Sequence, residues 1–326
     1  MSTAWQSLVP EHLHDAVSNA LRAAFDAANV ESAEPVTGGA SGATTLRLQV
    51  AQRACLLRVE TVRSPLRNPH QYTCMRSAAS AGIAPPLHYV DDQAGVAIMD
   101  FIVTQPLAAY PGGPLELARG LGRLKALLQS TAPFPVLMDY RAIVRRLTER
   151  LQTRFAPSLL DPHREALERL LEVLPWDSTT QVSSHNDPNP RNILFDGMRL
   201  WLVDWETAYR NDPFVDAAIL VDNLAPTPAL EAALLEAWLG RAPDAAERAR
   251  LAMMRALTRL YYAGLLAMLH ASTAPVINSL SALSPDEFRR LLADGSLRPA
   301  APETRTELMK MMLAGFLDLS SNAAVR

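Results

Sequence analysis

The sequence predicts an α+β fold of two lobes, with a small antiparallel sheet in the N-terminal lobe and a large, mainly helical C-terminal lobe. The chain has 326 residues, 49% of them hydrophobic, and a chain of this length can bury two apolar cores. Short β-like runs are concentrated before residue 102, whereas helical periodicity dominates after it. The predicted lobes are therefore residues 1–102 and 103–326.

The predicted N-terminal lobe combines two helices with five strands. An amphipathic helix over residues 11–29 precedes three closely spaced β-like runs, which predict an antiparallel meander. A second helix, over residues 69–81, should end at Gly82, because glycine is the preferred residue just past a helix C-terminus. The strands are predicted at residues 32–37, 44–50, 54–60, 87–90 and 96–101.

The predicted C-terminal lobe is helical except around residues 184–206. That segment contains two prolines and two short apolar runs, a pattern typical of a loop followed by a hairpin. The predicted helices span residues 115–130, 138–155, 162–174, 227–239, 244–271, 285–294 and 302–318.

Composition and charge argue against several classes of protein. The formal net charge of -3 provides no basic field for nucleic acid or for a membrane surface. Two cysteines, Cys55 and Cys74, are too few for a disulfide framework or a zinc site, which favours a reducing compartment. The chain shows no secretory signal, and no apolar run reaches the ~18 residues needed to cross a bilayer. We therefore expect a cytoplasmic protein without nucleic-acid or membrane partners.

A glycine-rich turn lies between the first two predicted strands. Three of the 14 glycines, Gly38, Gly39 and Gly42, fall in this turn together with Ser41. Such a turn brings backbone N–H groups close to an anion, as over the phosphates of a nucleotide, but it is equally compatible with a flexible hairpin tip. On the third strand, Arg58 offers a permanent charge to a phosphate, although a solvated strand arginine has the same pattern.

The segment SHNDPNPRNILF, residues 184–195, contains the residues best suited to chemistry. Asp187 suits the orientation of an acceptor hydroxyl and the removal of its proton, which are central tasks in phosphoryl transfer. Asn192 offers a neutral oxygen, and Asp204 a charged one, to a hard cation such as Mg²⁺. The apolar runs on either side of Asp196 predict a hairpin, which brings Asn192 and Asp204 side by side. This combination predicts a magnesium site next to a base.

These residues resemble those of the aminoglycoside phosphotransferase and choline kinase superfamily, which has the protein-kinase-like two-lobed fold. The sequence HND ending at Asp187, with Asn192, resembles the catalytic loop of that superfamily, and its first asparagine is more similar to choline and ethanolamine kinases. Asp204 stands where the metal-binding aspartate stands. Asp216 stands where the superfamily has an aspartate that contacts the catalytic loop. The resemblance runs from about residue 36 to residue 224.

The resemblance implies ATP- and Mg²⁺-dependent transfer of the γ-phosphoryl group to a hydroxyl of a small molecule. Asp187 would then be the catalytic base, Asn192 and Asp204 the metal ligands, and Arg58 the cation that binds phosphate. The N-terminal lobe would be the nucleotide-binding lobe.

The resemblance also assigns the remaining nucleotide contacts. The glycine-rich turn would cover the phosphates, and backbone groups near Met99 and Ile102 would hydrogen-bond the adenine. The helix carboxylate that usually pairs with the strand cation is missing, because residues 62–82 contain no Asp or Glu. Gln71, or Glu60 on the strand, is the expected substitute.

The acceptor is expected to be a small alcohol or amino alcohol. Only a dozen residues separate Asp204 from Asp216, too few for the activation segment of a protein kinase. Phosphorylation of aminoglycosides or sugars would use the same machinery and is one alternative. A non-catalytic nucleotide sensor on this fold is another. The candidates for binding a cationic acceptor such as choline are five aromatic and three acidic residues: Trp205, Tyr209, Phe214, Tyr261, Tyr262, Glu206, Asp212 and Asp222.

Overall fold

The N-terminal part of the chain forms an antiparallel sheet of five strands. The computed structural model describes residues 5–26, 29–36, 43–61, 68–268, 275–299 and 301–323. The strands are β1 (Val30–Pro35), β2 (Ala43–Val50), β3 (Arg53–Glu60), β4 (Leu87–Asp91) and β5 (Val96–Asp100), in the order β1-β2-β3-β5-β4. Every neighbouring pair is antiparallel, so the predicted meander and the two further strands are confirmed.

Side-chain alternation decides which face of this sheet is buried. On β2, Leu46 and Leu48 point to the same face and are fully buried. Helix α1 (His14–Phe25) contributes Val17 and Leu21 to the same apolar cluster. Because each buried aliphatic side chain stabilises the fold by roughly 1.5–3 kcal/mol, this cluster attaches the helix firmly to the sheet.

Helix α2 (Gln71–Ser80) is terminated by a glycine just past its C-cap, as predicted. Gly82 has a φ of +70°, and the Ile83 amide donates to the Ala78 carbonyl at 2.8 Å. This bond is typical of the Schellman motif, in which glycine takes the left-handed conformation at least cost. The chain then enters β4.

Eight helices form most of the described C-terminal part of the chain. They are α3 (Gly113–Gln129), α4 (Tyr140–Gln152), α5 (Asp161–Val173), α6 (Pro213–Leu224), α7 (Pro228–Leu239), α8 (Ala245–Met268), α9 (Pro285–Ala293) and α10 (Pro302–Ala323). Helix α8 is central, because it packs against α4, α6 and α10. Helix α3 packs against α7. Every described helix is too short or too polar to span a bilayer.

Two short strand pairs precede α6 in the chain. Strand β7 (Ile193–Phe195) pairs with β8 (Leu200–Leu202), which confirms the predicted hairpin. Strand β6 (Val182–Ser184) pairs with β9 (Tyr209–Asn211). Helix α6 and the β6–β9 pair have no counterpart among the predicted elements. The helix is apolar around most of its circumference and therefore lacks a visible helical period, while three-residue strands are too short to show alternation.

A connector joins the two parts of the chain. Strand β5 ends at Asp100 and α3 begins at Gly113, so the predicted lobe boundary between residues 102 and 103 falls in the connector. The Gln105 amide donates to the Phe195 carbonyl at 2.7 Å. This bond attaches the connector to the β7–β8 hairpin.

Gly122 lets α3 and α7 pack closely, and alanine at this position should destabilise the protein. An added Cβ would lie 2.9 Å from the Ala237 Cβ and 3.0 Å from the Trp238 amide nitrogen. Although alanine is the better helix former, we expect Gly122→Ala to lower the free energy of unfolding by about 1–3 kcal/mol, as overpacking does. Urea denaturation measures this change. The control is Leu127→Ala on the exposed side of α3, and a gain in stability from Gly122→Ala would contradict the close packing.

Candidate functional site

Asp216 fixes the backbone of the 185–192 loop. This buried aspartate, in the first turn of α6, accepts hydrogen bonds from the amides of His185 at 2.9 Å and Asn186 at 2.8 Å. Asn186 has a φ of +65°, a left-handed conformation that costs free energy for most residues with a side chain and that asparagine adopts at a smaller cost. The two hydrogen bonds to a carboxylate offset that cost and hold the next residue, Asp187, in place. They agree with the tie that the resemblance implies for Asp216.

Side chains of the same loop bind the segment that follows β8. The Asn186 side-chain amide donates to the Thr207 carbonyl at 2.9 Å, and the Asn211 side-chain amide donates to the Asn186 side-chain oxygen at 2.7 Å. The Thr207 hydroxyl donates to the His185 carbonyl at 2.9 Å. The loop and this segment are therefore held as one unit.

Asp187 lies at the centre of a hydrogen-bonded cluster. Its Oδ1 accepts from the Tyr262 hydroxyl at 2.5 Å and from Asn189 Nδ2 at 2.9 Å, and its Oδ2 accepts from Asn192 Nδ2 at 3.3 Å. Burial raises the pKa of Asp187 above its ordinary value, although the bonds from Tyr262 and Asn189 oppose the increase. Tyr262 is 75 positions away in the sequence, and no local pattern indicates this contact.

Asn192 and Asp204 flank the β7–β8 hairpin, and the backbone brings them next to each other. The Val203 amide donates to the Asn192 carbonyl at 3.0 Å, so the residue before Asp204 pairs with Asn192. The Asn192 Nδ2 donates to the Asp187 carbonyl at 2.9 Å, which turns the Asn192 side-chain oxygen to the opposite side. Within the described ranges no group donates to that oxygen, and it is therefore available as a ligand.

The chemistry of this pair fits Mg²⁺. Both side chains supply hard oxygen donors, and Mg²⁺ usually takes one or two protein ligands and completes its shell with water and substrate phosphates. Among the described residues there is no group of three His, Cys, Asp or Glu side chains that could hold a metal ion by themselves. One amide and one carboxylate are sufficient for an ion that shares a phosphate ligand.

Arg58 reaches from the sheet to the segment after Asp204. Its Nη1 lies 3.3 Å from Glu60 Oε1 and 3.1 Å from the Tyr72 hydroxyl, and its Nη2 lies 3.6 Å from Glu206 Oε1. Burial alone would lower the pKa of Arg58, but the neighbouring Tyr72, Glu206, Glu60 and Asp204 raise it overall. Arg58 is therefore a permanent cation close to the predicted metal ligand Asp204.

Glu60 and Gln71, the residues expected to substitute for a helix carboxylate, are hydrogen-bonded to each other beside Arg58. The Gln71 side-chain amide, at the start of α2, donates to the same Glu60 oxygen that contacts Arg58. The strand thus supplies the negative charge and the helix holds it in position. The sequence presented these two residues as alternatives, and the structure uses both.

The remaining residues predicted to contact a nucleotide fall in two places. At the end of β5, Met99 is buried, and the amides of Asp100 and the following Phe101 donate to the Pro86 and Ala54 carbonyls. In the described part of the chain the Ile102 amide has no acceptor, which leaves this donor available to a base. The four residues predicted in the glycine-rich turn lie outside the described residues: Gly38, Gly39, Ser41 and Gly42.

A buried lysine lies close to the acidic groups of α6. Lys125 on α3 is 3% exposed, its Nζ is 3.8 Å from the centre of the Trp238 ring, and it has no hydrogen-bond acceptor among the described residues. Burial lowers the pKa of Lys125 to about 7, while Asp216 and Asp212 limit the decrease. In its protonated form Lys125 offsets the charge of Asp216, on which the loop depends.

The prediction of an aromatic wall for a cationic acceptor is wrong for three of its five residues. Trp205, Tyr209 and Phe214 are buried, because large rings near a site fill core volume as readily as they line a pocket. The predicted acids are bound to arginines: Glu206 to Arg58, Asp212 to Arg250, and Asp222 to Arg255 and Arg259. Of the predicted aromatic residues, Tyr262 is the one whose side chain hydrogen-bonds to the Asp187 carboxylate.

Comparison with known structures agrees with this architecture. A choline/ethanolamine kinase family protein from Mesorhizobium loti superposes with a TM-score of 0.64 and 21% identity, over 94% of this chain and 99% of that one. Choline kinase LicA from Streptococcus pneumoniae gives 0.62 and 15% over 93% and 99%. Spectinomycin phosphotransferase APH(9)-Ia, solved with ADP and spectinomycin, gives 0.60 and 13% over 95% and 98%. At these identities the likeness shows the protein-kinase-like two-lobed fold.

Sequence comparison identifies the family. An uncharacterized protein of Metamycoplasma hominis is 36% identical over 67 residues, which span 20% of this chain and only 13% of that protein. The sequence profile of the phosphotransferase enzyme family APH matches residues 32–253, and thus most of the chain, including the 185–192 loop, Asp204 and Asp216. The chain therefore belongs to the phosphotransferase enzyme family.

Proposed function

We propose that the protein is an ATP- and Mg²⁺-dependent small-molecule kinase that transfers the γ-phosphoryl group to a hydroxyl of a small cationic acceptor, such as choline or ethanolamine. The observation that carries this proposal is the cluster that joins Asp187 to Asn192 at the base of the β7–β8 hairpin. A base and a metal ligand are there held by the same hydrogen bonds, as phosphoryl transfer requires.

Asp187 is the proposed base. Its carboxylate orients the acceptor hydroxyl and takes its proton as the new bond to phosphorus forms. Burial favours this role, because it raises the pKa of Asp187 towards the range in which a carboxylate can both accept and release a proton. Bonds from Asn189 and Asn192 keep the carboxylate in one orientation.

Asn192 and Asp204 are the proposed ligands of Mg²⁺. The bound ion would supply positive charge to the phosphate oxygens. Arg58 would add a second, permanent cation for the nucleotide phosphates. The Ile102 amide and the backbone near Met99 would bind the adenine, and Gly38, Gly39, Ser41 and Gly42 would cover the phosphates. Structural neighbours solved with AMP and with ADP support a nucleotide in this fold.

The short path between Asp204 and Asp216 favours a small acceptor. It is filled by one 3-10 turn at Trp205–Thr207 and by β9, which leads directly into α6. No length is left there for a peptide platform. Choline and ethanolamine kinases among the structural neighbours favour an amino alcohol. The spectinomycin phosphotransferase neighbour makes phosphorylation of an aminoglycoside or sugar the second candidate.

Replacement of Asp187 tests the base. We expect Asp187→Asn to reduce acceptor-dependent ADP release by about 10²–10⁴-fold, the usual contribution of a general base, while nucleotide affinity stays unchanged. A coupled ADP assay and calorimetric titration of ATP measure the two quantities. Asp294→Asn, on the exposed end of α9, is the matched control. Full turnover by Asp187→Asn would remove Asp187 from this role.

Replacement of Asp204 tests the metal site. Asp204→Ala should weaken nucleotide binding in the presence of Mg²⁺ and abolish the gain in affinity that Mg²⁺ gives the unaltered protein. Titration of ATP with and without Mg²⁺ measures that difference, with Asp294→Ala as the control. An unchanged Mg²⁺ dependence would exclude Asp204 as a ligand.

Replacement of Tyr262 tests the environment of Asp187 through pH. The Tyr262 bond lowers the pKa of Asp187, so its loss in Tyr262→Phe should raise that pKa further. Because a base acts only when deprotonated, the acid limb of kcat/KM should move to higher pH. The control is Tyr261→Phe at the adjacent position, which should leave the acid limb in place. A shift to lower pH in Tyr262→Phe would contradict the assignment.

A further inference from the structure

A cavity of about 360 Å³ lies among α6, α8, α10 and the segment before α9. Its volume is within the range of roughly 300–1,000 Å³ that is usual for small-molecule sites. A compact molecule such as choline would fill only part of it. The cavity therefore has room for an acceptor with an additional apolar group.

Tyr262 connects this cavity to the proposed base. The Tyr262 side chain lines the cavity, and its hydroxyl donates to Asp187 Oδ1 at 2.5 Å. One tyrosine side chain thus links the lining of the cavity to the carboxylate. Because Tyr262 binds Oδ1, an acceptor hydroxyl would bind the other oxygen, Oδ2, which in the described part of the chain accepts only from Asn192.

One wall of the cavity is apolar and flexible. Leu308, Met311 and Met312 on α10 face it, together with Leu283 from the segment before α9. Methionine side chains are unbranched and polarisable, so they adapt to ligands of varied shape. This wall suits a hydrocarbon group, because its apolar side chains offer no hydrogen bond to a small polar alcohol.

Another part of the lining is polar and charged. Asp222 is bound by Arg255 at 2.5 Å and by Arg259 at 3.2 Å. The lining thus carries charges of both signs, from the carboxylates of Asp222 and Asp318 and from the guanidinium of Arg259.

The described residues that line the cavity do not form an aromatic cage for a quaternary ammonium group. Such a cage encloses the cation with the faces of several rings. Tyr262 is the one aromatic residue among the described residues that line the cavity. Most of the affinity for an amino alcohol must therefore come from apolar contact with the α10 wall.

We propose that this cavity is the acceptor site and that it takes an amphipathic amino alcohol, with its hydroxyl at Asp187 and its alkyl group against Met311 and Met312. The inference rests on the proposed kinase function. In the reaction the acceptor oxygen forms a bond to the γ-phosphorus of ATP, and the bond from that phosphorus to the β,γ-bridging oxygen breaks. The hydroxyl proton passes to Asp187, and ADP leaves with the bond's electron pair.

A series of acceptors with one growing alkyl group tests the proposal. Choline and its N-butyl and N-hexyl homologues, in which one methyl is replaced, share the hydroxyl and the charge. We expect kcat/KM, measured by ADP release, to rise by about fourfold for each added methylene that is buried, until the cavity is full. A series in which choline is equal to or better than its longer homologues would overturn the proposal.

Substitution of the apolar wall locates the effect. Met311→Gln should reduce the gain per methylene, because a polar group replaces part of the apolar wall. Met198→Gln changes a methionine that is 89% exposed in the β7–β8 turn, and it should keep the full gain. Equal chain-length dependence in both variants would place the alkyl group elsewhere and contradict this site.

Binding measured without turnover separates this inference from the proposed function. Calorimetry of the same homologues with Asp187→Asn should show affinity that increases with chain length. If it does and no acceptor yields ADP with the unaltered protein, the cavity assignment stands and the kinase proposal fails. If choline yields ADP but chain length has no effect on rate or binding, the kinase proposal stands and the cavity assignment fails.

Discussion

The site depends on the two hydrogen bonds that the Asp216 carboxylate accepts. It accepts from two successive amides of the 185–192 loop, one of them from Asn186 in a left-handed conformation. Each buried amide would otherwise be unsatisfied, at a cost of about 1–3 kcal/mol. Because α6 carries Asp216 and packs against α8, the position of Asp187 is set by helix packing in the C-terminal lobe. The same helix α8 supplies Tyr262, so the carboxylate that holds the loop and the tyrosine that binds Asp187 are positioned by one packing arrangement.

A second constraint links the sheet to this arrangement. Arg58 extends from β3 to Glu206, and the Asn68 side chain donates to the Ala208 carbonyl at 2.7 Å. Both contacts end on the segment that follows Asp204, where the loop also binds. The groups proposed for phosphate and for metal are therefore connected through a single stretch of backbone. Loss of the usual helix carboxylate does not break this connection, because Glu60 holds Arg58 from its own strand.

Sequence reasoning predicted the elements whose signal is local. The sheet, the end of α2 at Gly82 and the β7–β8 hairpin follow from alternation, glycine and turn residues, and all are confirmed. Helix α6 was not predicted, because it is buried on most sides and therefore has no polar face that would reveal a helical period. The Tyr262 contact and the burial of Trp205 depend on tertiary packing between distant segments, which periodicity and spacing do not encode.

Phosphorus NMR of the complete reaction tests the proposed chemistry most directly. The protein is incubated with Mg²⁺, ATP and an N-alkylated amino alcohol, and the γ-phosphate is followed over time. Transfer to a hydroxyl predicts a phosphomonoester resonance that increases in step with ADP and is absent without the acceptor. Production of ADP with inorganic phosphate alone, or no consumption of ATP with any alcohol, would contradict a small-molecule kinase.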